Sequence, residues 1–365
     1  MTTHPGVQRR PQRWPHRLAI ALTVGAIVTV TTAASYHRGH GPPPTTTTTS
    51  TTTTTTKPSS GTIALGFATF QPWSVALVTL DPNFAGYQNS VGSLPDFYEW
   101  YMSWPSVGGA PLYWGSQETL VLDDHLTPMI SWETDTLSLP AITAGDYDAS
   151  DLAPSVALAK AYPGTLYIRL DWEMNGSWSD WNPDNSAQPA GETPATYVAM
   201  WQHVVNYFRS AGVTNVKWVW APNVDGGDGS MAAYYPGDSY VDYVGLDGYN
   251  YAYTQSSPWL TPAQVFGPSY TELEGITNKP VIITETSSVE ANKSESSAGD
   301  SKAQWIKQLS TYLPTLGNVV GLCWFNQTAE VGSTDVNFGV NSSSTALTAW
   351  KQDIVDNAEY AAKLP

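Results

Sequence analysis

From Leu166 to Glu173 apolar and polar side chains alternate. Leu166, Ile168, Leu170 and Trp172 fall on one side of a strand, and Tyr167, Arg169, Asp171 and Glu173 on the other. Similar runs predict strands at Thr62–Thr69, Thr127–Glu133, Thr165–Glu173, Val216–Ala221, Val241–Asp247, Pro280–Glu285 and Val319–Phe325, with Phe97–Trp104 a more ambiguous one. Val281-Ile282-Ile283 is continuously apolar, as in a strand buried on both faces. Helical spacing recurs between these runs, at Ser150–Ala161, Pro194–Ala211 and Ser301–Leu313. Pro194-Ala195-Thr196 marks a helix start and Gly212 its stop. Alternating strands and helices imply a parallel sheet. About eight strands in roughly 300 residues predict a (β/α)8 TIM barrel with inserted loops, a fold that usually takes about 250. No internal repeat is evident.

The amino-terminal part follows a different pattern. Residues 1–17 form a basic segment that includes Arg9, Arg10, Arg13 and Arg17. Residues 18–34 are apolar or small throughout and carry no charge. That length is short for a membrane span and long for a signal h-region, and Thr32-Ala33-Ala34 offers a small-residue cleavage site. A transmembrane anchor and a signal peptide both remain open. In either case the basic flank is cytoplasmic and the rest is exported, membrane-anchored or secreted. Residues 35–60 are a Pro/Thr-rich linker; its Gly41–Thr56 stretch, almost pure threonine from Thr45, has no apolar residue to bury, so the linker is expected to be disordered. The domain of interest is 61–365.

Charge narrows the substrate. The chain carries -16. Its six basic residues before Gly61 (Arg9, Arg10, Arg13, Arg17, Arg38 and Lys57) have no acid among them, so the rest has 10 basic against 32 acidic residues, or -22. Such a surface excludes nucleic acid and disfavours polyanions, leaving a neutral substrate. The 16 Trp and 20 Tyr suit a carbohydrate cleft, since each presents a flat apolar face and a hydrogen-bonding edge. Cys323 is the sole cysteine and the six His show no ligand spacing, so neither a metal nor a cofactor is expected. A monomer is expected.

In a TIM barrel the site lies at the carboxyl ends of the strands. Those ends read Trp132-Glu133, Trp172-Glu173, Trp220, Asp247, Glu285 and Trp324. Glycoside hydrolysis commonly needs two carboxyl groups about the scissile bond. Glu173 and Glu285 are the candidate pair. Asp171 reads as a structural partner of Arg169. Glu133 and Asp247 are weaker candidates for a site role, Trp218 is a core residue, and Asn175 is turn chemistry before Gly176.

Arg169 to Trp181 (RLDWEMNGSWSDW), Trp218 to Asn223 (WVWAPN), Tyr234 to Asn250, Lys279 to Ser287 (KPVIITETS) and Cys323 to Asn326 (CWFN) resemble the motifs of glycoside hydrolase family 26. These are retaining barrel glycosidases that include β-mannanases. The resemblance implies Glu173 as acid/base and Glu285 as nucleophile. It implies that Tyr249 hydrogen-bonds the nucleophile and that Trp178 and Trp324 stack on sugar rings. Trp172 stands where the family usually has His, beside the acid/base, and is a further candidate for substrate contact. The expected activity is endo-acting cleavage of a neutral β-linked polysaccharide, β-mannan or glucomannan first. A β-glucanase or β-1,3-xylanase of the same fold is the alternative, and a non-catalytic surface carbohydrate-binding barrel is the alternative of another class.

Overall fold

A computed structural model describes residues 62–69, 82–112, 121, 125–183, 185, 188–189, 191–224, 230–252, 258–290, 300–331 and 334–365. The basic segment, the apolar run and the Thr-rich linker lie outside the described residues. Among the described residues no helix is long and apolar enough to cross a membrane.

Eight parallel strands close into one barrel in sequence order, as the alternation of elements predicts. They are β1 (Ala64–Ala68), β2 (Phe97–Ser103), β3 (Thr127–Glu133), β4 (Leu166–Leu170), β5 (Val216–Trp220), β6 (Tyr243–Asn250), β7 (Val281–Ser288) and β8 (Val319–Phe325). Among the described residues the helices include α1 (Pro82–Val91), α2 (Leu139–Ala144), α3 (Ala153–Ala161), α4 (Pro194–Ser210), α5 (Pro262–Ile276), α6 (Lys302–Tyr312) and α7 (Ser344–Ala349). Local chemistry sets their starts. Thr193 and Thr196 form a reciprocal capping box at α4, as Thr261 and Gln264 do at α5. Ser301 caps α6 by accepting from the Gln304 amide at 3.1 Å. A hairpin, β9 (Thr328–Val331) and β10 (Thr334–Asn337), follows β8.

Period-2 alternation divides each strand between two environments. Outward side chains meet the helices, as where Trp218 of β5 packs edge-on against Trp201 and Phe208 of α4. Inward side chains fill the barrel, and their chemistry changes along its axis. Near the amino ends of the strands, Tyr167 and Tyr243 lie 5.3 Å apart, and both hydroxyls donate to the Pro365 carbonyl, closing that mouth. Toward the carboxyl ends the filling turns ionic. The β6–β7 register shifts between Gly245 and Asp247, and the β7–β8 register shifts between Val281 and Ile282 and again between Ile283 and Thr286. Such irregularities re-aim side chains at barrel rims.

One strand is shorter than its alternation suggests. β4 stops at Leu170, and Asp171 and Glu173 adopt left-handed backbone, with φ of 42° and 51°. That conformation is uncommon for non-glycine residues. It turns the two acids out of the alternation that the sequence shows.

Candidate active site

Arg169 is the centre of the ionic layer. The β3–β4 register sets it beside Ser131, whose Oγ accepts from Nη1 at 2.8 Å. The same Nη1 donates to Glu99 of β2 at 2.7 Å and to Glu285 of β7 at 2.6 Å, while Nη2 donates to Asp247 of β6. The guanidinium is wholly buried, so solvent neither screens nor replaces these contacts. Burial pushes Glu99 above the ordinary carboxylate range against the pull of Arg169, and Glu285 adds to the rise. Burial likewise drives Asp247 well up, opposed by Arg169 and reinforced by Glu285 and Glu173.

Asp171 is not the partner of Arg169 that the alternation suggests. Its turned backbone carries the carboxylate to Thr134, which donates its amide at 2.8 Å and its hydroxyl at 2.7 Å. Burial raises Asp171 to about 8 despite those bonds. Arg169 instead balances acids from three other strands. Glu99 went unmarked in the sequence because it sits inside the ambiguous run FYEWYMS. Glu133 accepts from Ser103 Oγ at the end of β3, a local contact between neighbouring strands.

Glu173 lies in the loop after β4, and that loop is wired tightly. Its amide donates to the Ala221 carbonyl at 2.7 Å, continuing the β4–β5 ladder beyond the strand. Ser179 Oγ donates to its carbonyl at 2.9 Å, Trp181 Nε1 to the Trp172 carbonyl at 2.6 Å, and Asn182 Nδ2 to the Met174 carbonyl at 2.7 Å. The carboxylate accepts from Asn223 Nδ2 and from Trp178 Nε1, both at 2.6 Å. Asn175 is more than a turn residue. Its amide group pairs reciprocally with the Asn223 backbone, at 2.8 Å in each direction, and so sets the Asn223 side chain. Gly176 is needed for a steric reason: a Cβ there would lie 2.3 Å from the Trp178 ring. Burial first, and then the charge of Glu285, raise Glu173 to about 7; Asn223, Trp178 and Arg169 oppose the rise. A carboxyl tuned to about 7 can give and take a proton near neutrality.

Glu285 presents one oxygen to Arg169 and the other to Tyr249, whose hydroxyl donates at 2.6 Å. The expected Tyr249–Glu285 contact is therefore present. Trp178 remains half-buried with its indole N–H on Glu173. Trp172 is only 8% exposed, packed against Tyr101 at 5.3 Å and Trp181 at 4.6 Å, with the Arg169 guanidinium 5.2 Å from its ring centre. It backs the guanidinium and leaves a ligand little more than an edge.

The expectation for Trp324 is corrected. On β8 the inward positions are Cys323, which burial and Glu99 act upon, and Phe325, which meets Tyr249 at 6.0 Å. Trp324 between them points outward. It is fully buried against Trp305 and Trp350, and its indole N–H donates to the Phe338 carbonyl at 2.9 Å. No face of it is open to a sugar. Phe338, which sequence alone does not single out, occupies the site side instead, 5.6 Å from Tyr249. Among the described residues no group of three or more His, Cys, Asp or Glu could hold a metal ion.

Residues 162–317, which run from the end of α3 past α6, match the family model described as Glycosyl hydrolase family 26. The chain is 37% identical over 231 residues to Endoglucanase H of Acetivibrio thermocellus, covering 62% of this chain and 24% of that protein. It is 32% identical over 101 residues to a mannan endo-1,4-beta-mannosidase of Bacillus subtilis, covering 27% of this chain and 28% of that one. It thus spans about a quarter of the length of these relatives. Among solved structures, a family 26 β-mannanase from Bacteroides ovatus superposes with a TM-score of 0.55 at 15% identity, over 82% of this chain and 90% of that one. A mannanase from Bacillus subtilis gives 0.53 at 18%, over 80% and 86%. Likeness at that identity is a likeness of fold.

Proposed function

We propose, from the premise that this chain belongs to glycosyl hydrolase family 26, that its barrel is a retaining, endo-acting β-glycosidase for a neutral polysaccharide. One observation carries the proposal. Two buried carboxyl groups converge with opposite support. Glu285 is held by a guanidinium and a phenol, whereas Glu173 is raised to about 7 by burial and by Glu285 itself. That asymmetry suits one group to attack as an anion and the other to donate a proton. A non-catalytic carbohydrate-binding barrel has no use for it.

In the first step Glu285 attacks the anomeric carbon while Glu173 protonates the leaving oxygen. In the second, Glu173 removes a proton from water, which displaces Glu285 from the glycosyl-enzyme, so configuration is retained. Trp178, half-buried and bonded to Glu173, offers an aromatic face for a sugar ring beside the acid/base.

β-Mannan or glucomannan is the first substrate, in line with the mannosidase relatives. A second reading, a β-glucan, has its own support: the 37% relative is named an endoglucanase, and Trp172 replaces the His usual beside the acid/base. Glucomannan, galactomannan, mixed-linkage β-glucan, β-1,3-xylan and cellulose, set beside alginate and polygalacturonate, separate these. The expected result is rapid release of oligosaccharides from one of the neutral β-1,4-linked or mixed-linkage glycans. Faster cleavage of a polyanion, or no cleavage of any neutral glycan, overturns the proposal.

We infer export as well, from the basic flank, the apolar run and the threonine stalk. Protease treatment of intact cells should release the barrel. Its recovery entirely in the cytosol would contradict export.

A further inference from the structure

Lys302 is the first residue of α6 and is fully buried. Both circumstances disfavour a cation. A helix amino terminus carries partial positive charge, and burial strips the ammonium of water. Burial accordingly lowers Lys302 to about 8, with Glu290 opposing the fall. Its three protons are nonetheless all placed. Nζ donates to the Asn337 carbonyl at 2.8 Å, to the Gly339 carbonyl at 3.1 Å and to Ser342 Oγ at 2.7 Å. Ser342 in turn donates to Glu290 at 2.6 Å.

The two carbonyls flank Phe338. That residue's own carbonyl accepts from Ser287 Oγ and Trp324 Nε1, each at 2.9 Å, and its amide donates to the Gln327 carbonyl at 2.9 Å. Asn326 Oδ1 accepts from the Val340 amide at 2.7 Å. Contacts from α6, β7, β8 and the loop after β8 therefore fix a short segment whose side chain is an aromatic ring. That ring lies 5.6 Å from Tyr249 and 6.1 Å from Tyr251. Tyr249 in turn holds Glu285 at 2.6 Å. Ser287 stands two residues beyond Glu285 on the same strand face, so the clamp and Glu285 share one support.

We propose that Lys302 is a positioning residue for the nucleophile: by gripping the backbone on both sides of Phe338 it sets the ring against Tyr249 and thereby the Tyr249–Glu285 hydrogen bond. The proposal rests on the glycosidase reading above. It makes a lysine outside the cleft part of the catalytic support.

A double-mutant cycle tests it, using full-length enzyme well below its melting temperature. The substrate is glucomannan, or mixed-linkage β-glucan if that is the glycan cleaved. Lys302→Met should lower kcat roughly 10-fold with KM changed less than about twofold, because the loss is in orientation rather than binding. Tyr249→Phe alone should lower kcat by about 10–100-fold, the effect of a hydrogen bond to a charged group. In the Tyr249→Phe background, Lys302→Met should have almost no further effect, since both act through one bond. A merely structural lysine would give additive losses. Additive losses, or an unchanged kcat in Lys302→Met, overturn the proposal. If Lys302→Met fails to fold, Phe338→Leu replaces it in the cycle, removing the positioned ring while leaving the clamp; additivity there overturns the proposal equally. An unmutated enzyme inactive on every neutral glycan would instead refute the glycosidase reading.

Discussion

Glu285→Ala is expected to abolish turnover of every substrate, by on the order of 10⁶-fold, as when other covalent enzymes lose their nucleophile. The protein should still fold. Glu285 is one of three acids on Arg169, and its removal leaves Glu99 and Asp247 to balance the guanidinium. The repulsion from Glu285 that helps raise those two acids is relieved. A circular dichroism melt close to that of the unmutated enzyme therefore assigns the lost activity to chemistry. The variant also has space where the carboxylate stood. Azide in that space should restore turnover of an activated aryl glycoside and give the glycosyl azide of inverted configuration. Near-normal polysaccharide cleavage by Glu285→Ala would sink the assignment.

The second large effect separates the two acids by substrate. Glu173→Ala should slow polysaccharide cleavage by about 10²–10⁴-fold, the usual worth of a general acid/base. Aryl glycosides with good leaving groups need no proton in the first step, so their glycosylation should persist and the glycosyl-enzyme should accumulate as a burst. The pH profile supplies a further check. An acid raised to about 7 is protonated below that pH and loses its proton above it. Polysaccharide cleavage by the unmutated enzyme should thus decline as pH rises through about 7. That decline should be missing from the first step of Glu173→Ala on aryl substrates. Equal losses on both substrate types would assign the acid role elsewhere.

What the sequence revealed and what it hid follow from the range of the interactions involved. β3 and β8 have the bounds that alternation predicts, because their apolar runs end sharply. α4 is legible from its proline start and glycine stop. α5 went unmarked because Pro268 interrupts its pattern, yet its Thr261–Gln264 capping box was available as a signal. The hairpin β9–β10 is short and its pairing local, with little apolar alternation to show it. In the site, Glu173 stands out as the acid at a loop start, and Glu285 as the first acid after the apolar run Val281-Ile282-Ile283, although β7 continues three residues beyond it to Ser288. The partners of Arg169 do not, because Glu99, Asp247 and Glu285 reach it only through closure of the barrel. Asn223 could have been found as the polar end of WVWAPN, one turn past an apolar strand. Trp324 could have been excluded by counting: placing Phe325 inside sends its neighbour outward.

Retention is the claim on which the roles of Glu285 and Glu173 depend together. It is tested most directly by proton NMR of the first product formed from the cleaved glycan, recorded before mutarotation. A β-anomer at the new reducing end is the predicted result. An α-anomer formed first would mean a single displacement by water, and would contradict the account.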